Sequence, residues 1–306
     1  EALEPLMEKI KSGEPGIYPL RKAGYSFGDD PDRPNADKPV GLDTDVINVD
    51  PDTGKAYNLI DTEWNRKVLE KTRDLYLKGY IRKDVASVTD DNADLSNNKY
   101  AMFLSLWAPG KEAEVSNQYN NEYVAVVCSK TKLPANAGSE TMLAISRTSE
   151  HPDKAIQFIQ ELWTNPDVKN TIIFGIEDVH YKKIADNQIE FIEGSKYQQN
   201  CARWEMGTVF NSYLIKGEDP NVFQQLQEME ENAVPSKLAG FTFDPTNVKT
   251  EIAQLNAVFK EYVSLATGAI DPDSFLPKIL EKMENAGIQK VLEEVDKQYA
   301  DWLSTK

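Results

Sequence analysis

Apolar residues recur at helical spacing in several parts of the chain and predict where its helices lie. The opening residues, EALEPLMEKIKSGEPG, form an amphipathic pattern that Gly and Pro bring to an end. A second helix is expected to begin at residue 61 or 62 and to end at Gly79, and a third to begin at Pro152. From residue 250 to residue 303 the chain is predicted to be nearly all helix.

Short apolar or alternating runs predict strands between these helices. GIYPL (16–20) is a short buried strand by this criterion, and VINVDPDTGKAYNLI (46–60) alternates around an Asp-Thr-Gly turn that is typical of a hairpin. The length and β-branched content of EYVAVVCSK (122–130) predict a buried strand, and SETMLAISR (139–147) is expected to be another. The alternation over 184–191 predicts a further β-hairpin. Strands between helices, with a helical tail, define an α/β class.

Length and charge narrow the class of protein. The 306 residues are enough for two lobes, and no apolar run approaches the roughly 20 residues that span a bilayer. Fifty acidic residues against 34 basic ones give a net charge of -16, which repels nucleic acid and anionic lipid and favours neutral or cationic ligands. The chain has no initiator Met and starts inside a helix, so we expect a truncated or processed piece.

Acidic residues and the two cysteines are the candidates for metal binding. Asp50, Asp52 and Gly54 resemble the opening of a calcium loop, but position 12 of that loop would be Asp61 instead of the bidentate glutamate. An ordinary turn is the favoured interpretation, with calcium binding left open. The cysteines lie far apart, and neither HExxH nor CxxC occurs, so no transition metal and no cofactor are predicted.

Catalytic motifs are also missing from the sequence. No G-x-S-x-G elbow, P-loop or G-x-G-x-x-G occurs. His180 has Glu177 and Asp178 as possible acid–base partners, but neighbours in sequence rarely orient one another, so a turn beside a binding cleft is favoured. Paired carboxylates for glycoside cleavage stay open, because their separation in space cannot be deduced from the sequence.

Aromatic residues at the ends of elements carry the functional prediction. Trp64 and Trp163 lie on predicted core stripes, whereas Trp107 follows an apolar run and Trp204 stands in CARWEMGTVF. Pyranose recognition needs a flat apolar ring, since the C–H face of a sugar stacks on it while polar groups bond the hydroxyls. Trp107 and Trp204 are therefore candidate ligand-binding residues. The end of GIYPL adds weaker candidates, which are Tyr18, Arg21, Tyr25 and Phe27.

Motifs in a fixed order cover nearly the whole chain. They are GYIRKD after a helix, NNKYAMFLSLW, AISRTSEHPDKAIQFIQELWTNPDVKN, FGIEDVHYKK, RWEMGTVF and the helical tail from 262 to 303. Their order and spacing resemble the extracellular solute-binding proteins (family 1) of ABC transporters, of the type that binds sugars and oligosaccharides. The later motifs are similar to a lipoprotein subfamily that has its own C-terminal region.

The resemblance implies a periplasmic-binding-protein-like (type II) fold, in which two α/β lobes joined by crossing strands hold ligand between them. On that plan residues 1–122 and 200–306 belong to the C-terminal lobe with its helical tail. Residues 123–199 are the returning part of the N-terminal lobe. The first segment of the N-terminal lobe, with a signal peptide and a lipidated cysteine, is expected to be missing.

The resemblance also implies which residues meet the ligand. Trp107 is placed on the cleft wall, where the family stacks a sugar ring, and Trp204 is a second possibility. Tyr181, in a turn near the rim over 174–183, is expected to touch ligand, and His180 is not needed for chemistry. Related sequences often have Gly-Asn where this chain has Gly207 and Thr208, so an amide contact at that place is not carried over.

The predicted function is therefore binding without catalysis. The protein is expected to be a monomer that captures an oligosaccharide outside the cell and delivers it to the membrane permease subunits of an ABC importer. It is expected to be anchored by lipidation, at the bacterial cell surface or in the periplasm. Two alternatives stay open at this point: a carbohydrate-active hydrolase, and a binding protein for a peptide or another polar solute.

Overall fold

The computed structural model describes residues 3–21, 37–88, 90–128, 130–195, 197 and 203–306. The chain divides into two units. Unit 1 comprises residues 1–106, 126–136 and 233–306, and unit 2 comprises residues 107–125 and 137–232. The chain therefore enters and leaves unit 2 twice.

Helices dominate the described residues. In chain order they are α1 (Glu4–Gly13), α2 (Glu63–Leu77), α3 (Asn92–Ser96), α4 (Lys111–Tyr119), α5 (Pro152–Thr164), α6 (Pro166–Phe174), α7 (Val222–Glu231), α8 (Lys249–Leu265), α9 (Pro272–Asn285) and α10 (Ile288–Ser304). The strands are short. They are β1 (Tyr18–Leu20), β2 (Ile47–Asp50), β3 (Lys55–Asn58), β4 (Tyr100–Met102), β5 (Lys132–Leu133), β6 (Tyr181–Ala185), β7 (Gln188–Phe191), β8 (Leu214–Ile215) and β9 (Val234–Pro235).

The helices of unit 1 confirm the predictions made from helical spacing. Thr62 caps α2, because its hydroxyl accepts a hydrogen bond from the backbone N–H of Asn65 at 3.1 Å, and the helix ends just before Gly79 as expected. The apolar faces of α8, α9 and α10 pack together with β2 in the largest buried cluster. Its centre includes Leu255, Ile279 and Val291, none of which exposes any surface. Burial of this size is what stabilises unit 1.

The strands of unit 1 are partly as predicted. β1 pairs in parallel with β4, and β2 pairs antiparallel with β3 through the expected hairpin. The side chain of Asp50 closes that hairpin's turn, since its Oδ1 accepts from the N–H groups of Asp52 and Thr53 at 2.8 and 3.4 Å. The acidic residues there hold a turn, as the favoured interpretation required.

Two predicted strands are wrong. No strand is assigned to the described residues of 122–130 or to 139–147. Val124 and Val126 are each more than four-fifths exposed, and Met142 is 75% exposed. A strand must pair to satisfy its backbone, and neither segment finds a partner among the residues that the structure describes.

Unit 2 is built from α4 to α7, the β6–β7 hairpin and β8. β6 and β7 are antiparallel, and β7 pairs in parallel with β8. The predicted hairpin is therefore confirmed, but it starts at residue 181 instead of 184. The buried cluster of this unit centres on Ile173, Phe174 and Ile189. Because Met206, Tyr213 and Ile215 pack in the same cluster, residues beyond 199 contribute to this unit, which runs to residue 232. The lobe boundaries at 122 and 199 stay a prediction.

The helical pattern after Pro152 predicts a core stripe of Ile156, Ile159, Leu162 and Trp163 on α5, and this prediction is only partly right. Leu162 is buried and Ile159 is partly buried, but Ile156 and Trp163 are 60% and 54% exposed. The helix has the amphipathic pattern that the sequence indicates, yet most of its apolar face is uncovered by the described residues.

Candidate functional site

A buried lysine holds the turn that carries Trp204. Lys169 of α6 exposes no surface, and its Nζ donates to the carbonyl oxygens of Arg203, at 3.1 Å, and of Thr208. These two carbonyls lie at the two ends of the turn over residues 203–208. A charged donor that serves both ends restrains the turn strongly. The indole of Trp204 is nevertheless 58% exposed, so a rigid framework presents an open ring.

A glycine lets this turn pass close to α5. Gly207 has a φ of +67°, and a Cβ at this position would lie 2.4 Å from the carbonyl oxygen of Leu162. Only glycine fits such an approach with a left-handed backbone. The next residue, Thr208, caps the short 3₁₀ turn that follows: its hydroxyl accepts from the N–H of Phe210 at 3.4 Å.

An ion pair anchors the residue before Trp204. The guanidinium of Arg203 contacts both carboxylate oxygens of Glu218, with Nη1 at 3.0 Å from Oε2 and Nη2 bonded to Oε1. The side chain of Glu218 is completely buried, and that of Arg203 is 13% exposed. The backbone N–H of Ile215 donates to Oε2 at 2.7 Å. A two-point guanidinium–carboxylate contact fixes direction as well as distance.

The segment of Trp107 reaches the same carboxylate. Gly110 has a φ of +89°, and a Cβ there would lie 2.7 Å from Oε1 of Glu218 and 2.9 Å from Cγ2 of Val222. Trp107 is 36% exposed, and its Nε1–H donates to Oε1 of Glu112 at 3.2 Å. The two segments that bear the predicted tryptophans therefore meet at Glu218.

Tyr181 is almost entirely buried beside Tyr213, whose carbonyl oxygen accepts a hydrogen bond from Arg203. Tyr181 exposes 5% of its surface, and its ring centroid is 5.9 Å from that of Tyr213. Burial raises the pKa of the phenol, and the nearby Tyr213 and Glu177 act in the same direction. Tyr181 lines a cleft of about 250 Å³ together with Asp167, Asn170 and Lys183. So little exposed surface limits Tyr181 to a small part in any ligand contact.

The histidine turn is structural, as the favoured interpretation stated. Nδ1 of His180 accepts a hydrogen bond from the backbone N–H of Ile176 at 2.8 Å, and the ring lies 4.9 Å from that of Tyr197. Glu177 is engaged elsewhere, in an ion pair with Lys183 at 3.0 Å. The imidazole thus closes a turn through a backbone bond and does not pair with a neighbouring acid.

The remaining candidates were Tyr18, Arg21, Tyr25 and Phe27, of which the structure describes Tyr18, in β1, and Arg21, both in unit 1. Nε of Arg21 donates to Oδ2 of Asp91 at 2.9 Å, and its guanidinium lies 6.0 Å from the ring centroid of Phe103. The contact with Arg21 lowers the pKa of Asp91. Tyr25 and Phe27 lie outside the described residues.

A metal site is not formed by the residues that the structure describes. Nowhere among them do three His, Cys, Asp or Glu side chains come together as a metal would require. Asp52 is paired with Lys237 at 2.7 Å, and Asp50 bonds the turn. Nor does any helix in the described part of the chain have both the length and the apolar character to cross a bilayer.

Three side chains at this site were missed by the sequence analysis. Lys169, Arg203 and Glu218 look like ordinary surface charges in the sequence, because nothing in the helical spacing marks a buried charge. The glycines at 110 and 207 were the available signal, since each sits within three residues of a candidate tryptophan. A glycine at such a position indicates a close backbone approach.

Comparison with known proteins supports the resemblance to solute-binding proteins of ABC transporters. Over 322 aligned residues, the chain is 28% identical to a carbohydrate ABC transporter substrate-binding protein of Streptococcus pneumoniae serotype 4, and the match covers 100% of this chain but 63% of that protein. The chain therefore spans less than two thirds of the relative's length. Residues 237–304, which contain α8, α9 and α10, match the family described as Domain of unknown function (DUF3502). This match lies in the C-terminal region that the sequence resemblance predicted as a feature of the subfamily.

Solved structures support the same conclusion. The N-glycan transport solute binding protein NgtS of Streptococcus pneumoniae, in complex with Man1GlcNAc, aligns with a TM-score of 0.82 at 25% identity over 99% of this chain and 68% of that one. An HMO-binding, ABC-transporter-associated solute-binding protein from Bifidobacterium longum infantis shares the fold at 14% identity, with a TM-score of 0.53 over 97% of this chain and 68% of that one. The predicted type II solute-binding fold and the predicted resemblance are confirmed. The names of these relatives describe binding proteins and no enzyme.

Proposed function

We propose that this chain is the larger part of a solute-binding protein that takes a carbohydrate ligand for an ABC importer. The observation that carries the proposal is the pair of exposed indoles, Trp107 and Trp204, on segments that a single buried carboxylate joins. Exposed tryptophans on a rigid support are suited to stacking against sugar rings. The similarity to carbohydrate-binding relatives supports this ligand class.

The proposed ligand is an oligosaccharide that contains mannose and N-acetylglucosamine. NgtS has been solved with Man1GlcNAc and with Man5GlcNAc, and this chain is similar to it along almost all of its own length. A neutral sugar also suits a chain with a net charge of -16, which would repel anionic ligands. Trp107 and Trp204 are the proposed stacking residues. Arg21, Tyr25 and Tyr181 are proposed only as secondary contacts.

The proposed setting is outside the cytoplasm, with a lipid anchor on the whole protein and permease subunits of the importer as partners. Binding alone is the proposed activity. The rival, a carbohydrate-active hydrolase, requires two carboxylates that face one cleft roughly 5 to 9.5 Å apart. The geometry of His180 and Glu177 favours binding over acid–base chemistry, since both are engaged in structural contacts.

We further propose that polypeptide outside these 306 residues covers exposed apolar side chains of unit 2. These side chains include Val124, Met142, Ile156 and Phe158. About 37% of the S. pneumoniae relative (100% minus the 63% covered) has no counterpart in this chain. Hydrogen exchange on the whole protein tests this: slow exchange over residues 122–128 and 139–147 is expected, and exchange at the rate of an open loop would contradict it.

The function itself is tested by calorimetry and product analysis on the whole protein. Man1GlcNAc and Man5GlcNAc should bind and be recovered unchanged after prolonged incubation. Kestose serves as the control sugar, because a structural neighbour of 14% identity, FusA, has been solved in complex with it. Cleavage of either mannose-containing sugar would favour the hydrolase, and failure of every sugar to bind would contradict the proposed ligand class.

A further inference from the structure

We infer that Glu218 is a positioning residue for the ligand site, because its buried carboxylate sets the Trp107 segment against the Trp204 segment. This inference rests on the proposed function, since it concerns the tryptophans proposed there as stacking residues. Glu218 follows β8, and two neighbouring residues hold it in place. The backbone N–H of Ile215 donates to its Oε2, and its backbone carbonyl oxygen accepts from Nε2 of Gln188 at 3.3 Å.

On one side the carboxylate holds Arg203, the residue directly before Trp204. Both guanidinium nitrogens Nη1 and Nη2 contact it, and Nη1 also donates to the carbonyl of Tyr213 at 3.3 Å. Together with the bonds from Lys169 at both ends of the turn, these contacts leave the backbone at 203–208 little freedom. The contacts that orient the backbone at Trp204 therefore all come from residues of unit 2.

On the other side the carboxylate supports Gly110, three residues after Trp107. The backbone comes so close that an added Cβ would lie 2.7 Å from Oε1, a separation that a real Cβ essentially never shows. Gly110 is the N-cap residue of α4, and Glu112 in the first turn of that helix accepts a hydrogen bond from the Trp107 indole. If the Glu218 carboxylate moves, we therefore expect Gly110 and the first turn of α4 to move with it. Because Glu112 in that turn accepts a hydrogen bond from the Trp107 indole, the position of Trp107 should change as well.

A buried ion pair is suited to this task more than to stabilising the fold. Removing two charges from water offsets most of their attraction, so such a pair adds little net stability, and its directional bonds can instead specify geometry. Stacking sites need that geometry, because binding side chains must be held to within about 0.5 Å of their productive positions. Glu218 contacts both segments, and so it can set the spacing of two rings at once.

The first test needs no ligand. On the whole protein, fluorotryptophan incorporation gives one resonance for each tryptophan. A Trp302→Phe variant assigns the reference resonance in unit 1, and the Trp107→Phe and Trp204→Phe variants assign the two of interest. Glu218→Gln should shift both of these resonances while that of Trp302, in unit 1, stays fixed. Glu190→Gln, which breaks the exposed pair with Lys216, is the matched control and should move neither. A shift at Trp204 alone would contradict the proposal.

The second test measures affinity for Man5GlcNAc on the whole protein, well below its melting temperature. Glu218→Gln should weaken binding by about tenfold while Glu190→Gln leaves it unchanged. If Glu218→Gln does not fold, Arg203→Lys carries the test, since it keeps the charge and loses the two-point contact. Wild-type affinity in a folded variant, or loss of folding in both, would overturn the inference. Absence of binding by the wild type would instead refute the proposed function. The resonance shifts would then still decide the inference about Glu218.

Discussion

The indole N–H of Trp107 donates to the carboxylate of Glu112 across 3.2 Å, and Glu112 stands in the first turn of α4, the helix that follows. An acid at that position interacts favourably with the positive end of the helix. The ring edge is thus fastened while part of the ring stays accessible. A residue prepared in this way loses little conformational freedom when a ligand stacks on it.

Loss of either proposed stacking ring should weaken carbohydrate binding. We expect Trp107→Ala and Trp204→Ala each to reduce the binding free energy for Man5GlcNAc by about 1 to 3 kcal/mol, the scale of a lost aromatic contact. Calorimetry on the whole protein measures this. Trp163→Ala is the matched control, because Trp163 is as exposed as Trp204 but lies on α5. Equal losses in all three variants would show that aromatic area in general, and no particular pair, binds the sugar.

The close approach at Gly207 should make that glycine indispensable to unit 2. Gly207→Ala places a methyl 2.4 Å from the carbonyl oxygen of Leu162 on a left-handed backbone, and we expect it to lower the free energy of unfolding by about 2 kcal/mol or more. Gly13→Ala is the control, since a methyl there meets nothing within 4 Å. It should be neutral or stabilise by up to about 1 kcal/mol. Urea denaturation that ranks the two variants alike would contradict the packing described.

Acid should destabilise the start of unit 1 through Glu4. Its carboxylate accepts hydrogen bonds from Lys71 and from Lys78, the latter at 2.7 Å, and these bonds hold its pKa at about 2, below the ordinary value of 4.5. Because the folded pKa is the lower one, the contribution is present above pH 4.5 and is lost as the pH falls towards 2. Glu4→Gln should therefore flatten the fall in melting temperature within that window.

The Lys78→Ala variant separates this effect from general acid unfolding. With Lys71 still in place, the pKa of Glu4 should rise only partway, so the slope should lie between those of the wild type and of Glu4→Gln. The pair is partly exposed, and added salt should weaken it in every variant that keeps it. A wild-type slope in Glu4→Gln would show that other groups control acid stability here.

Helices were well predicted from the sequence because their pattern is local. α2 and the three tail helices each carry an apolar stripe and a recognisable end, and these features need no knowledge of distant residues. The run at 122–130 failed for the opposite reason. Its valines have the composition of a buried strand, but a strand exists only with a pairing partner, and the described residues supply none.

The candidate site was predicted in part for a similar reason. The positions of Trp107 and Trp204 at element ends could be recognised, and both side chains are exposed. The buried charges beneath them could not, since Lys169 and Glu218 become distinctive only when the fold encloses them. Tyr181 was proposed from its place in a turn, yet packing against Tyr213 buries it, an outcome that depends on contacts far away in sequence.

The central proposal is that the whole protein binds a mannose-containing oligosaccharide through Trp107 and Trp204 without changing it. The most direct test is a calorimetric titration of the whole protein and of its Trp107→Ala, Trp204→Ala double variant with Man5GlcNAc, followed by analysis of the recovered sugar. We predict saturable binding by the wild type, a large loss in the double variant and intact sugar from both. Undiminished affinity in the folded double variant, or cleaved sugar, would contradict the account.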